Sequence, residues 1–138
     1  MLDQQKINEL RQQKIAPQKL FINGGWQAAI SGQTIDIISP INGQVITTTA
    51  DAGAEDVDRA VVAARAAFEK GSWANMAPAE RKKIMLKAAD LIEKNALELA
   101  VLGVRDNGTE IGMAFKAEPG SAAATIRFYA ETIDKVYG

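Results

Sequence analysis

Apolar positions along this chain follow two periods: alternation of apolar and polar residues up to about residue 50, and three-and-four spacing beyond it. The longest stretch with helical spacing runs from Pro78 to Arg105. Met85, Ala88, Ala89, Ile92, Ala96, Leu99 and Ala100 share one face there, widened by Leu91, Val101 and Leu102. Arg81, Lys82, Lys87, Glu93, Lys94 and Glu98 make the outer face. Pro78 suits the first helical position, where its missing N–H costs nothing. Glu80 follows in the first turn, where a carboxylate opposes the helix dipole. Asn107-Gly108 supplies a left-handed stop. The pattern predicts a long scaffold helix, bent near Asn95, with no catalytic set on it.

The other elements follow from the same reading. Residues 1–19 are rich in glutamine and lysine, with Ile7, Leu10 and Ile15 as sparse apolar points. They predict a short marginal helix or a disordered tail, ended by Pro17. Leu20-Phe21-Ile22 reads as a strand and Asn23-Gly24 as a hairpin turn, after which Trp26 and Ala28 return the chain. Ser31-Gly32 turns it again. Thr34 to Ile38 and Gln44 to Thr49 are β-branched strands around the turn Ser39-Pro40-Ile41-Asn42-Gly43. Residues 20–50 are thus expected to be consecutive short antiparallel strands.

After Asp51 a helix face of Val57, Ala60, Val61, Ala64 and Phe68 is expected, stopped by Gly71. Trp73 and Met76 are expected to cover the joint to the next helix. Residues 106–120 read as irregular because of Gly108, Gly112, Pro119 and Gly120. A last helix is predicted from Ser121 to Tyr137, with Ala122, Ile126, Tyr129, Ala130, Ile133 and Tyr137 on its inner face.

Composition narrows the chemistry. The chain has 138 residues, 47% hydrophobic and 24% charged, which is ordinary for a globular domain. A net charge of −1 gives no field for nucleic acid or an anionic membrane. There is no cysteine, hence no disulfide, thiolate nucleophile or zinc–thiolate site on this chain. There is no histidine, the commonest general base and metal ligand. No apolar run reaches the roughly 20 residues of a membrane span, and no secretory-signal core is visible. A cytoplasmic location is expected.

Three clusters invite a chemical reading, and each has a simpler one. Gly103 to Thr109 spaces two glycines as in a phosphate-binding loop, but the lysine is missing and a helix precedes it, so a helix stop fits better. Arg81, Lys82, Lys83 and Lys87 share their helix with Glu80, Asp90 and Glu93, which suits a solvated face. Glu55, Asp56 and Asp58 lie where a helix starts, and carboxylates belong there. Trp26, Trp73, Phe128, Tyr129 and Tyr137 have the spacing of packing residues.

Taken in order, the segments resemble the N-terminal segment of the NAD(P)-dependent aldehyde dehydrogenase family. The motifs are LFINGGW at 20–26, SGQTIDIISPINGQVI at 31–46, AEDVDRAVVAARAAFEKGSW at 54–73, APAERKKIMLKAADLIEKNALELA at 77–100, DNG at 106–108 and RFYAETIDKVYG at 127–138. The last is most similar to the aminoaldehyde branch, which acts on γ-glutamyl-γ-aminobutyraldehyde and betaine aldehyde. The resemblance implies an α/β parent fold, of which this segment is a mainly helical piece with short antiparallel strands at 20–50. Residues 20–138 would be the N-terminal part of the cofactor-binding domain, which is incomplete here.

The family's reaction uses a cysteine thiolate to attack the aldehyde. Hydride passes to the nicotinamide, and a glutamate activates water to release the acid. In family members the reacting and cofactor-holding residues follow the segment matched here, so no catalytic and no cofactor-binding residue carries over. One feature does. Many members hold a monovalent cation, K+ or Na+, through main-chain carbonyls, and the matching positions are Ile37, Ile38 and Asp106. Departures from the family pattern are Gly103 for glutamate, Thr109 for lysine, Ala77 for a serine or threonine cap, and Arg105 for an apolar or small residue.

The expectation is therefore a piece of an aldehyde dehydrogenase subunit, inactive alone. The parent would use NAD or NADP and an aldehyde substrate, and would form a homo-oligomer, dimer or tetramer, with no nucleic-acid or membrane partner. The alternative is a non-catalytic, truncated helical interaction module. In either case Ile92, Leu99, Ile126 and Ile133 are expected to contribute to an exposed apolar patch, because the parallel sheet of an α/β domain is not encoded here.

Overall fold

The computed structural model describes residues 3–135. In chain order the elements are α1 (Gln4–Gln12), β1 (Leu20–Ile22), β2 (Gly25–Gln27), β3 (Thr34–Ile38), β4 (Val45–Ala50), α2 (Ala54–Lys70), α3 (Ser72–Asn75), α4 (Pro78–Lys94), α5 (Ala96–Asn107) and α6 (Ile111–Thr132). They fall into two units. One comprises residues 14–75, the other residues 3–13 with 76–135.

In the first unit, Asn23 and Gly24 take φ of 52° and 76°. Two successive positive values match the twist of a two-residue hairpin. They set the register Leu20↔Gln27, Phe21↔Trp26, Ile22↔Gly25, and the Phe21 and Trp26 rings meet at 4.9 Å across the strands. β3 and β4 form the second antiparallel pair, with a register shift between Ile37 and Ile38. The pairings are antiparallel as expected, in two separate two-stranded sheets. Past Gln27 the chain leaves the hairpin. Ala29 is buried, and the Ile30 N–H donates to the Asp56 carboxylate at 3.2 and 3.3 Å instead of to a strand. The free side of β4 is partly covered by residues 16–18. There the Gln18 N–H donates to Thr48 O at 2.8 Å, and the Ala50 N–H to Gln18 O at 3.0 Å.

α2 starts at the expected place, yet of its expected inner face only Ala60 turns inward. Val57, Val61 and Phe68 are 53%, 61% and 73% exposed. The inward row is Asp56, Ala60 and Ala63. Asp56, 2% exposed, accepts from Gly53 N–H at 3.2 Å as well as from Ile30. This polar anchor fixes the rotation of the helix, and apolar spacing alone does not reveal it. Gly53 has no side chain, so only the returning half of a capping box exists here. Gly71 caps α2 with its N–H on Ala67 O, at a place where a Cβ would sit 2.2 Å from that oxygen.

In the second unit, α6 packs on both α4 and α5, and α1 packs on α5. The contact surface is alanine-rich. Ala89, Ala100, Ala114, Ala123 and Ala130 are fully buried, with Val101 and Ile7 nearly so. Small side chains let the helix axes approach closely. The expected long helix is two helices, broken at Asn95 (φ −104°, ψ 18°). Its Nδ2 donates to Leu91 O at 2.7 Å, competing with the helical bond that its own N–H makes at 3.1 Å.

α6 corrects a second expectation. Residues 111–120, expected to be irregular, are helical. Glu110 starts the helix by accepting from the N–H groups of Gly112 and Met113 at 2.8 and 2.9 Å. Those backbone bonds hold its carboxyl below the ordinary glutamate value. Pro119 sits inside the helix and is buried, so packing against α4 and α5 overrides a residue that breaks isolated helices. The inner face also differs by one position. Ala123 is buried and Ala122 exposed, while Tyr129 is 60% exposed. Tyr137 lies outside the described residues.

Two ion-pair groups join α4 to α6. Arg127 Nη2 meets Asp90 at 2.7 Å and Glu93 at 2.6 Å, and Lys82 Nζ meets Glu131 at 2.6 Å. Because the lower-numbered end of α4 pairs with the higher-numbered end of α6, the two helices are antiparallel. The cluster around Lys82 is thus partly a helix clamp, beyond the solvated face expected from sequence.

Of the four residues expected in an apolar patch, only Leu99 is exposed, at 41%. Ile92, Ile126 and Ile133 are half-buried on the helices that α4–α6 packing joins. Other exposed apolar residues include Ile84, Leu91 and Leu102 on α4 and α5, Val57, Val61, Val62 and Phe68 on α2, and Met113, Phe128 and Tyr129 on α6. Monomers rarely expose contiguous apolar patches beyond a few hundred Å². The isolated chain is therefore expected to self-associate and to bind a hydrophobic dye. Sedimentation with dye titration checks this, and a monodisperse, dye-free monomer with a cooperative melt would contradict it.

Candidate functional site

Ile37 and Ile38 occupy the end of β3, in the unit of residues 14–75. Ile37 is half-buried opposite Thr47, and Ile38 is 58% exposed opposite Val45. The register shift falls between them, and such a bulge leaves a residue outside the regular ladder. Asp106 belongs to the other unit. It is exposed in the last turn of α5, two residues before Gly108, which takes φ 78° and donates its N–H to Val104 O at 2.9 Å. Asp106 O is one of the final helix carbonyls that the helix itself cannot pair. Carbonyl oxygens of this kind suit a hard cation. Among the described residues no three acidic side chains gather as a metal site, so side-chain carboxylates do not supply one.

The remaining sequence candidates resolve into structural roles. Gly103 lies inside α5 and Gly108 ends it, so the GVRDNGT stretch is a helix stop and no phosphate cradle. Of the acidic triplet, Asp56 is the buried anchor. Glu55 and Asp58 line an open groove with Ile22, Trp26, Arg59 and Val62. The guanidinium of Arg59 is engaged by Gln27 Oε1 and lies 3.7 Å from Asp56. No nucleophile–base pair lines this groove. Ser39, the one buried hydroxyl among the described residues, accepts from Ile41 N–H at 3.3 Å as part of its turn. Trp73 lies on α3 and is 42% exposed.

Comparison with known proteins agrees with the motif resemblance. The profile of the aldehyde dehydrogenase family matches residues 26–138. The chain is 42% identical over 120 residues to the NADP/NAD-dependent aldehyde dehydrogenase PuuC of Escherichia coli, covering 87% of this chain and 24% of that protein. It is 41% identical over 121 residues to the aminoacetaldehyde dehydrogenase of Pseudomonas aeruginosa, covering 88% and 24%. The structure of a P. syringae indole-3-acetaldehyde dehydrogenase variant in complex with NAD+ superimposes with a TM-score of 0.92 at 37% identity, covering 99% of this chain and 28% of that one. The chain thus spans about a quarter of the length of the curated relatives it matches. With its helices and hairpins in the family's order and a sequence match across most of its length, this chain belongs to the aldehyde dehydrogenase family.

Proposed function

We propose that this chain is the N-terminal part of the cofactor-binding domain of an NAD(P)-dependent aldehyde dehydrogenase. The parent oxidises an aldehyde, of the aminoaldehyde class, to the carboxylic acid and works as a homo-oligomer. The observation that carries this reading is the match over residues 26–138; the E. coli and P. aeruginosa relatives favour NAD(P) and an aminoaldehyde. When bound in the parent, the nicotinamide accepts hydride from the substrate. The residues of this chain contribute packing to that domain. They do not contribute reacting groups.

A monovalent cation, K+ or Na+, is part of the proposal, with Ile37, Ile38 and Asp106 as the main-chain positions that the family resemblance supplies. Two features favour it: the bulge at Ile37–Ile38 and the unpaired carbonyl character of the last turn of α5.

The test is a chimera in which residues 20–138 replace the matching segment of the P. aeruginosa aminoacetaldehyde dehydrogenase. Aldehyde-dependent reduction of NAD+ or NADP+ is expected, with thermal stability higher in K+ or Na+ than in tetramethylammonium. A folded, oligomeric chimera without turnover would favour a non-catalytic interaction module. Equal stability in all three salts would remove the cation site.

A further inference from the structure

α1 is held by little. Of its residues only Ile7 is buried, Leu10 is half-buried, and the rest are exposed. Its ion pair, Lys6–Glu9, is internal. A nine-residue helix of this polarity does not persist unaided. Its N-terminus is closed locally, since Asp3 Oδ1 accepts from Lys6 N–H at 3.1 Å. At the C-terminus the Gln13 N–H donates to Leu10 O at 3.2 Å, and a further closure comes from elsewhere. Arg105, 92 and 95 residues away on α5, donates from Nη1 to Gln13 O at 2.8 Å and, at a longer 3.4 Å, to Leu10 O. Among the described residues these are the hydrogen bonds that join α1 and its cap to another element. A guanidinium also lies on the negative end of the helix dipole there.

We propose that Arg105 is a clasp and that α1 is a releasable strap: one side chain of α5 caps the C-terminal end of α1 and makes its docking conditional on α5. The strap orders last and opens first, separately from α4, α5 and α6. Those helices are held together by an alanine-rich contact and two ion-pair groups. Opening uncovers the seat of Ile7 on the unit.

Amide hydrogen exchange on the 138-residue chain tests this. In the wild type, residues 7–12 are expected to exchange faster than α4 and α6. Arg105→Ala is expected to accelerate residues 7–12 roughly tenfold or more, leaving α4 and α6 unchanged. Arg105→Lys, which keeps the charge but loses the planar fork, should fall between. Arg11→Ala, which removes an exposed cation from the same helix end, should have little effect. Unchanged protection of α1 in Arg105→Ala would overturn the proposal. So would loss of protection in α1, α4 and α6 together, because the strap would then not be a separate unit. An Arg11→Ala effect equal to that of Arg105→Ala would overturn it too, by showing that any nearby cation suffices.

Discussion

Incubated with an aldehyde and either NAD+ or NADP+, the 138-residue chain yields no reduced nicotinamide above a heat-killed control. The family's reaction needs a thiolate nucleophile, and this chain has no cysteine. Substitutes fail one by one. No histidine is present to activate a hydroxyl. Ser39 is buried and its Oγ is used by its own turn. A nucleophilic lysine needs a lowered pKa, whereas Lys82 is pushed up, first by its hydrogen bond to Glu131, and so stays protonated. Enzymes lower barriers by about 8 kcal/mol or more, and neither Ser39 nor Lys82 is placed to supply that. The assay follows absorbance of the reduced cofactor with several aldehydes, amino-substituted ones included. Turnover above the control refutes the expectation, and with it the view that the reacting groups of the parent lie outside this sequence.

Asp56→Ala is expected to be the most damaging single substitution in the unit of residues 14–75. Its carboxylate is the common acceptor for the Ile30 and Gly53 N–H groups and is almost wholly buried. Removing it leaves two part-buried donors without a partner, at about 1–3 kcal/mol each, partly offset by water because Ile30 and Gly53 are both exposed residues. A loss of about 2–4 kcal/mol is expected, a large share of the 5–15 kcal/mol typical of a domain. Asp56→Asn retains one acceptor oxygen but turns an N–H2 toward the other donor, so an intermediate loss is expected. Urea unfolding followed by tryptophan fluorescence measures both, since Trp26 and Trp73 lie in the same unit as Asp56. A loss below about 0.5 kcal/mol for the alanine variant, the range of ordinary surface changes, would show that the loop at Ile30 and the start of α2 are held by something else.

Elements with a local chemical signal are legible in the amino-acid sequence. Asn23-Gly24 announces the first hairpin, β-branched runs announce β3 and β4, and Gly71 and Gly108 end their helices where the spacing predicts. Each of these depends on the φ or bulk of one or two residues, which the sequence states directly. The break at Asn95 is legible for the same reason. The candidate cation positions are legible only through motif likeness, because a main-chain carbonyl carries no side-chain signature.

Sequence by itself determined the family, the order of helices and hairpins, and the lack of a thiolate or imidazole on this chain. Tertiary structure decided which faces turn inward and how far helices extend. Asp56 turns inward on α2, accepting from Ile30 N–H, 26 residues away, and from Gly53 N–H at its own helix start, while Val57, Val61 and Phe68 face out. α6 continues through Gly112, Pro119 and Gly120 because alanine-lined contact with α4 and α5, together with the Glu110 cap, outweighs a local preference for irregular chain. Arg105 closes α1 from more than ninety residues away. A partner at that separation is fixed only when the chain folds, since local spacing constrains nothing beyond a few turns.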